Sequence, residues 1–174
     1  MARVKGPFQL KWGENPILEV SEVTFNYDVA SNDYETVQGQ TFAVDGAITA
    51  SVEVTLLSSD VASLRTLFPQ YYVAPGDKMS TGETVSDESG SDGAIDIVAA
   101  SCDTEDTMYP LDVISCNGEV FRLVNAKSSL SGIDLDNNVL RTVTVTFRGE
   151  PAYDNDGKPM GAVQMFQDGA LSES

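Results

Sequence analysis

Ala47-Ile48-Thr49-Ala50-Ser51-Val52-Glu53-Val54-Thr55-Leu56 alternates without a break. Ile48, Ala50, Val52, Val54 and Leu56 fall on one face; Ala47, Thr49, Ser51, Glu53 and Thr55 fall on the other. A period of two is the mark of a strand with one face on a core and one face polar. Upstream, Leu18 and Val20 share one phase while Val23, Phe25 and Tyr27 share the other. That slip predicts a bulge or bend near Ser21-Glu22. Thr36 to Val44 reads as a further strand, with Asp45-Gly46 as the tight turn joining it to 47–56. The expectation is a long hairpin with a small-polar and acidic face.

Downstream the period changes. Ser58-Ser59 offers an N-cap, Asp60 sits in the first turn, and Val61, Leu64, Leu67 and Phe68 make an apolar stripe that Pro69 stops. This predicts one short helix, placed over an open end or face of a β-sandwich. Pro75 to Gly93 is rich in Gly, Ser, Thr and Asp and reads as a long exposed loop. Short strands follow at Ala94–Ala99, Leu111–Cys116, Glu119–Lys127 and Val139–Arg148. Asn117-Gly118 is a strong hairpin signal. In the last strand Val139, Arg141, Val143, Val145 and Phe147 face one way, and Leu140, Thr142, Thr144, Thr146 and Arg148 the other. The pattern predicts a mainly β fold of two packed antiparallel sheets, a sandwich or barrel, with one flanking helix.

The chain has 174 residues, which suits a single domain over 1–174. Within it, 1–16 reads as an N-terminal arm, 75–93 as the exposed loop and 151–174 as an extended tail. There are 27 acidic and 10 basic residues, a net charge of -17, and no histidine. Without His there is no Ser-His-Asp or Cys-His nucleophile system and no His-ligated zinc. Charge this negative also excludes gripping nucleic acid through phosphate contacts as the main mode of action. The acidity is uneven: residues 12–64 hold nine acids and no Lys or Arg, whereas 107–150 hold five acids against four bases. No apolar run approaches the length that spans a bilayer, and no secretory leader is expected at the start.

The individual motifs are weaker than the pattern. Asp134-Leu135-Asp136-Asn137-Asn138 resembles the opening of a calcium loop. Val139 stands where the turn glycine belongs, and Val145 where the closing glutamate belongs. It reads as a turn. Asp154-Asn155-Asp156-Gly157 fails likewise, with Lys158 at the fifth position. No phosphate-cradling Gly loop and no H-E-x-x-H helix occurs. Paired carboxylates are plentiful, but the aromatic platforms of a sugar site are not. No enzyme activity, cofactor or metal is expected. Cys102 and Cys116 are read either as two small buried thiols or as a possible disulfide, within or between chains.

The run Gly6-Pro7-Phe8-Gln9-Leu10-Lys11-Trp12, the Val20–Tyr27 strand, the hairpin 34–57 and the helix 60–68 together resemble a bacteriophage tail tube protein. The closing Arg141-Thr-Val-Thr-Val-Thr-Phe-Arg-Gly-Glu-Pro151 strand is the most telling part of that resemblance. The resemblance implies two packed sheets whose long strands close, on ring assembly, into an inner β-barrel. It implies homohexameric rings stacked into a tube, with tail sheath, tape measure and baseplate proteins as possible partners. DNA would pass through the lumen without specific binding, in a virion tail assembled in the host cytoplasm. Glu35, Asp45, Thr49, Ser51, Glu53 and Thr55 are the expected lumenal residues, and Arg122, Lys127, Arg141 and Arg148 the expected contact cations. The inner tube of a contractile injection system shares this fold. A monomeric acidic β-sandwich that binds or decorates, as an adhesin does, is the alternative of a different class.

Overall fold

A computed structural model describes residues 6–17, 20–35, 37–39, 41–57, 60–98, 107–135 and 142–171. Side chains are described throughout except at 29–35, 41–47 and Asp134. In chain order come β1 (Gln9–Trp12), β2 (Asn15–Ile17), β3 (Val20–Glu35), β4 (Thr41–Leu56) and α1 (Val61–Leu67). A 3-10 turn (Pro69–Tyr71) leads into β5 (Tyr72–Val73) and β6 (Ala94–Ile95). The chain closes with β7 (Met108–Ile114), β8 (Glu119–Asp134), β9 (Thr142–Gly149) and β10 (Val163–Gln167). One eight-stranded antiparallel sheet runs β2-β1-β7-β8-β9-β4-β3, with β10 added on β8; β5 and β6 form a second, two-stranded sheet. The fold is mainly β with one helix, as the alternation predicts.

The large sheet turns back over itself. β1 and β9 stand three strands apart along it, which in a flat sheet means about 14 Å. Yet the rings of Trp12 on β1 and Phe147 on β9 meet edge to face at 5.6 Å between centroids. Phe25 on β3 and Phe121 on β8 lie equally far apart along the sheet, and their centroids are 6.3 Å apart. The long strand β8 makes this possible by serving both layers. Its first half lies between β7 and β10, and its second half pairs with β9. Between the layers sit Leu10, Trp12, Val52, Val54, Leu111, Leu123, Val143, Val145 and Phe147, all buried. Trp12 Nε1 donates to the Ala126 carbonyl at 3.1 Å, so the one polar atom of the central ring is satisfied. Leu67 and Phe68 at the end of α1 close one side of this core, and the Ser128 hydroxyl donates to the Leu67 carbonyl.

Three local expectations are corrected. The hairpin turn lies at 37–39, and Asp45-Gly46 falls inside β4. Pairing there passes from Val29↔Ile48 to Ser31↔Asp45, two steps on β3 against three on β4. Asp-Gly therefore marks a bulge, the other use of glycine within a strand. The helix N-cap is Asp60, whose carboxylate accepts the Ser63 N–H at 2.8 Å. Ser58 and Ser59 lie outside the described residues. Finally, β8 continues well past Lys127 to Asp134. The slip expected at Ser21-Glu22 is present as a register shift between Val20 and Glu22. The segment 1–16 includes β1 and the start of β2, and the segment 151–174 includes β10.

Candidate functional site

The half-sheet β8-β9-β4-β3 has one face on the core and one face turned outward. Register fixes which side chains share the outer face, because directly paired residues point the same way. Asn26, Ser51, Arg148 and Lys127 form one cross-strand row, and Thr24, Glu53, Thr146 and Ser129 the next. Glu22, Thr55, Thr144 and Gly132 form a third, while Asp28 pairs with Thr49 beyond the end of β9. Thr49 and Glu53 are exposed, and Ser51 and Thr55 are half-buried by their neighbours. Hydroxyls stitch the face together. Ser129 Oγ donates to the Thr146 carbonyl at 3.1 Å, and the Ser131 and Thr146 hydroxyls share a hydrogen bond.

Of the six residues expected to line a lumen, Thr49, Ser51, Glu53 and Thr55 lie on this one face. Glu35 pairs with Thr41 and Asp45 with Ser31 on the overhanging part of the hairpin. The side chains of these two acids lie outside the described residues. The sequence reading missed the company they keep. Arg148 stands opposite Ser51, and Lys127 directly opposite Arg148. A face expected to be small-polar and acidic thus carries two cations, side by side. Both residues occupy the outward phase of their strands, but a single sequence does not say which strands pair, or in what register.

The half-sheet is open at both sides. Among the described residues β3 has β4 on one side and no strand on the other. On the other side the described pairing of β7 with β8 ends at Met108↔Lys127, and among the described residues the last part of β8 pairs with β9 alone. At each margin a residue of the core-facing phase is poorly covered: Tyr27 is 53% exposed and Ile133 49%. Beneath the β3 margin an apolar slot of about 210 Å³ lies between the layers, lined by Phe8, Val23, Phe25, Val113 and Phe121.

The long loop is organised by its own backbone. Gly76 N–H donates to Val85 O at 2.9 Å, Val85 N–H to Asp77 O at 2.8 Å and Met79 N–H to Glu83 O at 2.8 Å, a small hairpin. Asp96 accepts the Ser80 N–H at 2.6 Å, and that backbone hydrogen bond holds its carboxyl below the usual carboxylate range. Gly93 closes the loop with φ +85; a Cβ there would come within 2.6 Å of the Tyr72 ring. Cys116 is exposed in the Ser115–Gly118 turn. Cys102 lies outside the described residues, as do Arg141 and the turn at 136–138. Asp154 accepts the N–H groups of Asp156 and Lys158 at 3.0 and 2.8 Å, which is the turn expected there.

No protein-family model matches the chain, and no curated protein matches it. Among solved structures it is similar to the anti-feeding prophage cap, a tube terminating cap. That match has 11% identity and TM-score 0.49 over 96% of this chain and 95% of that one. It is similar to a chain of the PVC sheath-tube complex of an extracellular contractile injection system in the extended state. There the identity is 12% and the TM-score 0.49, over 92% of this chain and 88% of that one. It is also similar to a chain from the tail of an empty GTA particle with C6 symmetry, with 12% identity and TM-score 0.46, over 83% and 90%.

Proposed function

We propose that this chain is a tail tube subunit, a structural protein that closes six to a ring and stacks ring on ring into a conduit. The observation that carries the reading is the half-sheet with a polar outer face, an apolar inner face and, among the described residues, no strand beyond β3 on one side or beside the end of β8 on the other. From β8 to β3 the strand direction reverses three times, so the two bare edges run antiparallel. The β3 of one copy therefore fits beside the end of β8 of the next with ordinary antiparallel pairing, and a ring of such contacts removes both of these edges. Closure would also cover Tyr27 and Ile133. A monomer that stayed alone would keep a 16-residue edge strand in water, a recognised aggregation hazard.

In that ring the polar face is the lumen. Glu53 would present a carboxylate and Thr49, Ser51 and Thr55 hydroxyls, each repeated six times, with Glu35 and Asp45 on the overhanging hairpin as the further lumenal candidates. Carboxylates repel a DNA backbone and small hydroxyls give it little to hold; Lys127 and Arg148 share this face but are outnumbered there by Glu22, Asp28 and Glu53, so the wall stays net negative. The role is passage of a genome during ejection, not catalysis. The loop 75–93, the arm 1–16 and the tail 151–174 would reach neighbouring subunits or rings. Sheath, tape measure and baseplate proteins would be further partners in a virion tail built in the host cytoplasm. Replacing Glu53 and Glu35 with Lys should leave tubes assembled and slow genome ejection. Ejection kinetics unchanged in such virions would remove the lumen assignment.

A further inference from the structure

Asn117-Gly118 shapes the turn between β7 and β8, and it is also a chemically reactive pair that the conduit reading does not absorb. Asn117 is the one asparagine of the chain followed by glycine. Glycine has no Cβ, so no side chain on residue 118 screens its backbone nitrogen from the amide of Asn117. Asparagine is among the thermally labile residues, and attack by the following backbone nitrogen is the usual route. Asn117 is exposed at the tip of the turn, where water and hydroxide reach it.

The folded turn holds both reacting groups, and one residue does the holding. The Gly118 N–H donates to the Ser115 carbonyl at 3.0 Å, and the Ser115 hydroxyl donates to Asn117 Oδ1. Ser115 is itself fixed. It is buried, its N–H donates to the Glu119 carbonyl at 2.9 Å, and its Oγ accepts the Glu119 N–H at 3.0 Å.

We propose that Asn117 is a site of spontaneous deamidation and that Ser115 is the positioning residue that sets its rate. The Gly118 nitrogen gives its proton to hydroxide and attacks Asn117 Cγ. A C–N bond forms, and the side-chain nitrogen leaves as ammonia, taking a proton from water. The product is a five-membered imide. Water adds to one of its two carbonyls and opens the ring, to aspartate or, with the backbone now routed through the side chain, to isoaspartate. Both bonds from Ser115 must break before the nitrogen reaches Cγ, so the intact turn acts as a guard. Either product adds a negative charge to a turn that already adjoins Glu119. Isoaspartate also lengthens the backbone by one carbon, in a turn whose Gly118 carbonyl accepts the Asp168 N–H at 2.7 Å and so anchors the end of β10.

The test incubates the full chain at mildly alkaline pH, folded and in denaturing urea, and follows each asparagine by peptide mass spectrometry for exchange of amide for acid. The folded chain should react at Asn117 ahead of its other asparagines, and more slowly than the chain in urea. Ser115→Ala removes the hydroxyl and keeps the backbone bond. It should speed the folded-state reaction by roughly two- to tenfold, the worth of one ordinary hydrogen bond, and leave the rate in urea unchanged. Ser115→Thr keeps a hydroxyl and should restore the slow rate. Gly118→Asn tests the chemistry without touching Ser115. Residue 118 has φ +83, which asparagine tolerates, and a Cβ there meets only Gln167 Oε1 at 3.7 Å and Asp168 Cβ at 3.9 Å. That variant should lose most of the reaction at Asn117 in both states. No product at Asn117 in the folded chain overturns the site, and so does another asparagine reacting first. A Ser115→Ala rate equal to that of the unaltered chain, or an equally fast Ser115→Thr, overturns the role of the Ser115 hydroxyl.

Discussion

Trp12 joins the two layers through one side chain. Its ring meets Tyr109 of β7 at 5.3 Å and Phe147 of β9 at 5.6 Å, and its N–H is bonded to β8. Trp12→Ala should cost about 3–5 kcal/mol, the range for an aromatic removed from a packed core. Trp12→Phe keeps most of the packing and leaves the Ala126 carbonyl without its donor, a loss of about 1–3 kcal/mol. Urea unfolding followed by far-UV circular dichroism checks both, and equal effects would contradict the account. At this scale the sequence was legible in kind but not in detail. An acidic or hydroxyl residue before an apolar stripe signals a helix start, yet Ser58, Ser59 and Asp60 all qualify. The geometry selects Asp60 because its carboxylate reaches the Ser63 N–H.

Among the elements, β10 shows how a segment read as tail is held to the sheet. It pairs with the first half of β8, and Arg122 lies beneath its Phe166 ring at 4.8 Å while gripping Asp112 of β7. The hydrogen bonds that Arg122 donates to Asp112 favour the charged guanidinium and raise its already high pKa. Arg122→Ala removes both contacts at once. It should lower stability by about 1–2 kcal/mol and speed amide exchange in 163–167 far more than in β9, as hydrogen-exchange mass spectrometry would read. Uniform protection would mean that backbone pairing alone holds the strand. The strands that alternated cleanly, 47–56 and 143–147, were legible because burial on one face imposes a period of two. The second half of β8 was not, because Ser128-Ser129-Leu130-Ser131-Gly132 has weak strand propensity and is carried by pairing with β9. Asp45-Gly46 misled for a related reason: the same dipeptide serves a turn or a bulge, and only the partner strand decides.

For the whole molecule, the two-layer arrangement follows from one strand long enough to belong to both. The polar residues of the proposed lumen were legible from alternation. The cations beside them were not, since which strands face each other is a property of the assembled sheet. A chain so acidic, built around a half-sheet with no further strand at either edge among the described residues, suits one part of a closed wall. The central claim is ring closure through β3 and β8, and electron microscopy of the purified, concentrated protein addresses it most directly. The account predicts rings or tubes of uniform width with six-fold end views; a monodisperse monomer at millimolar concentration would contradict it.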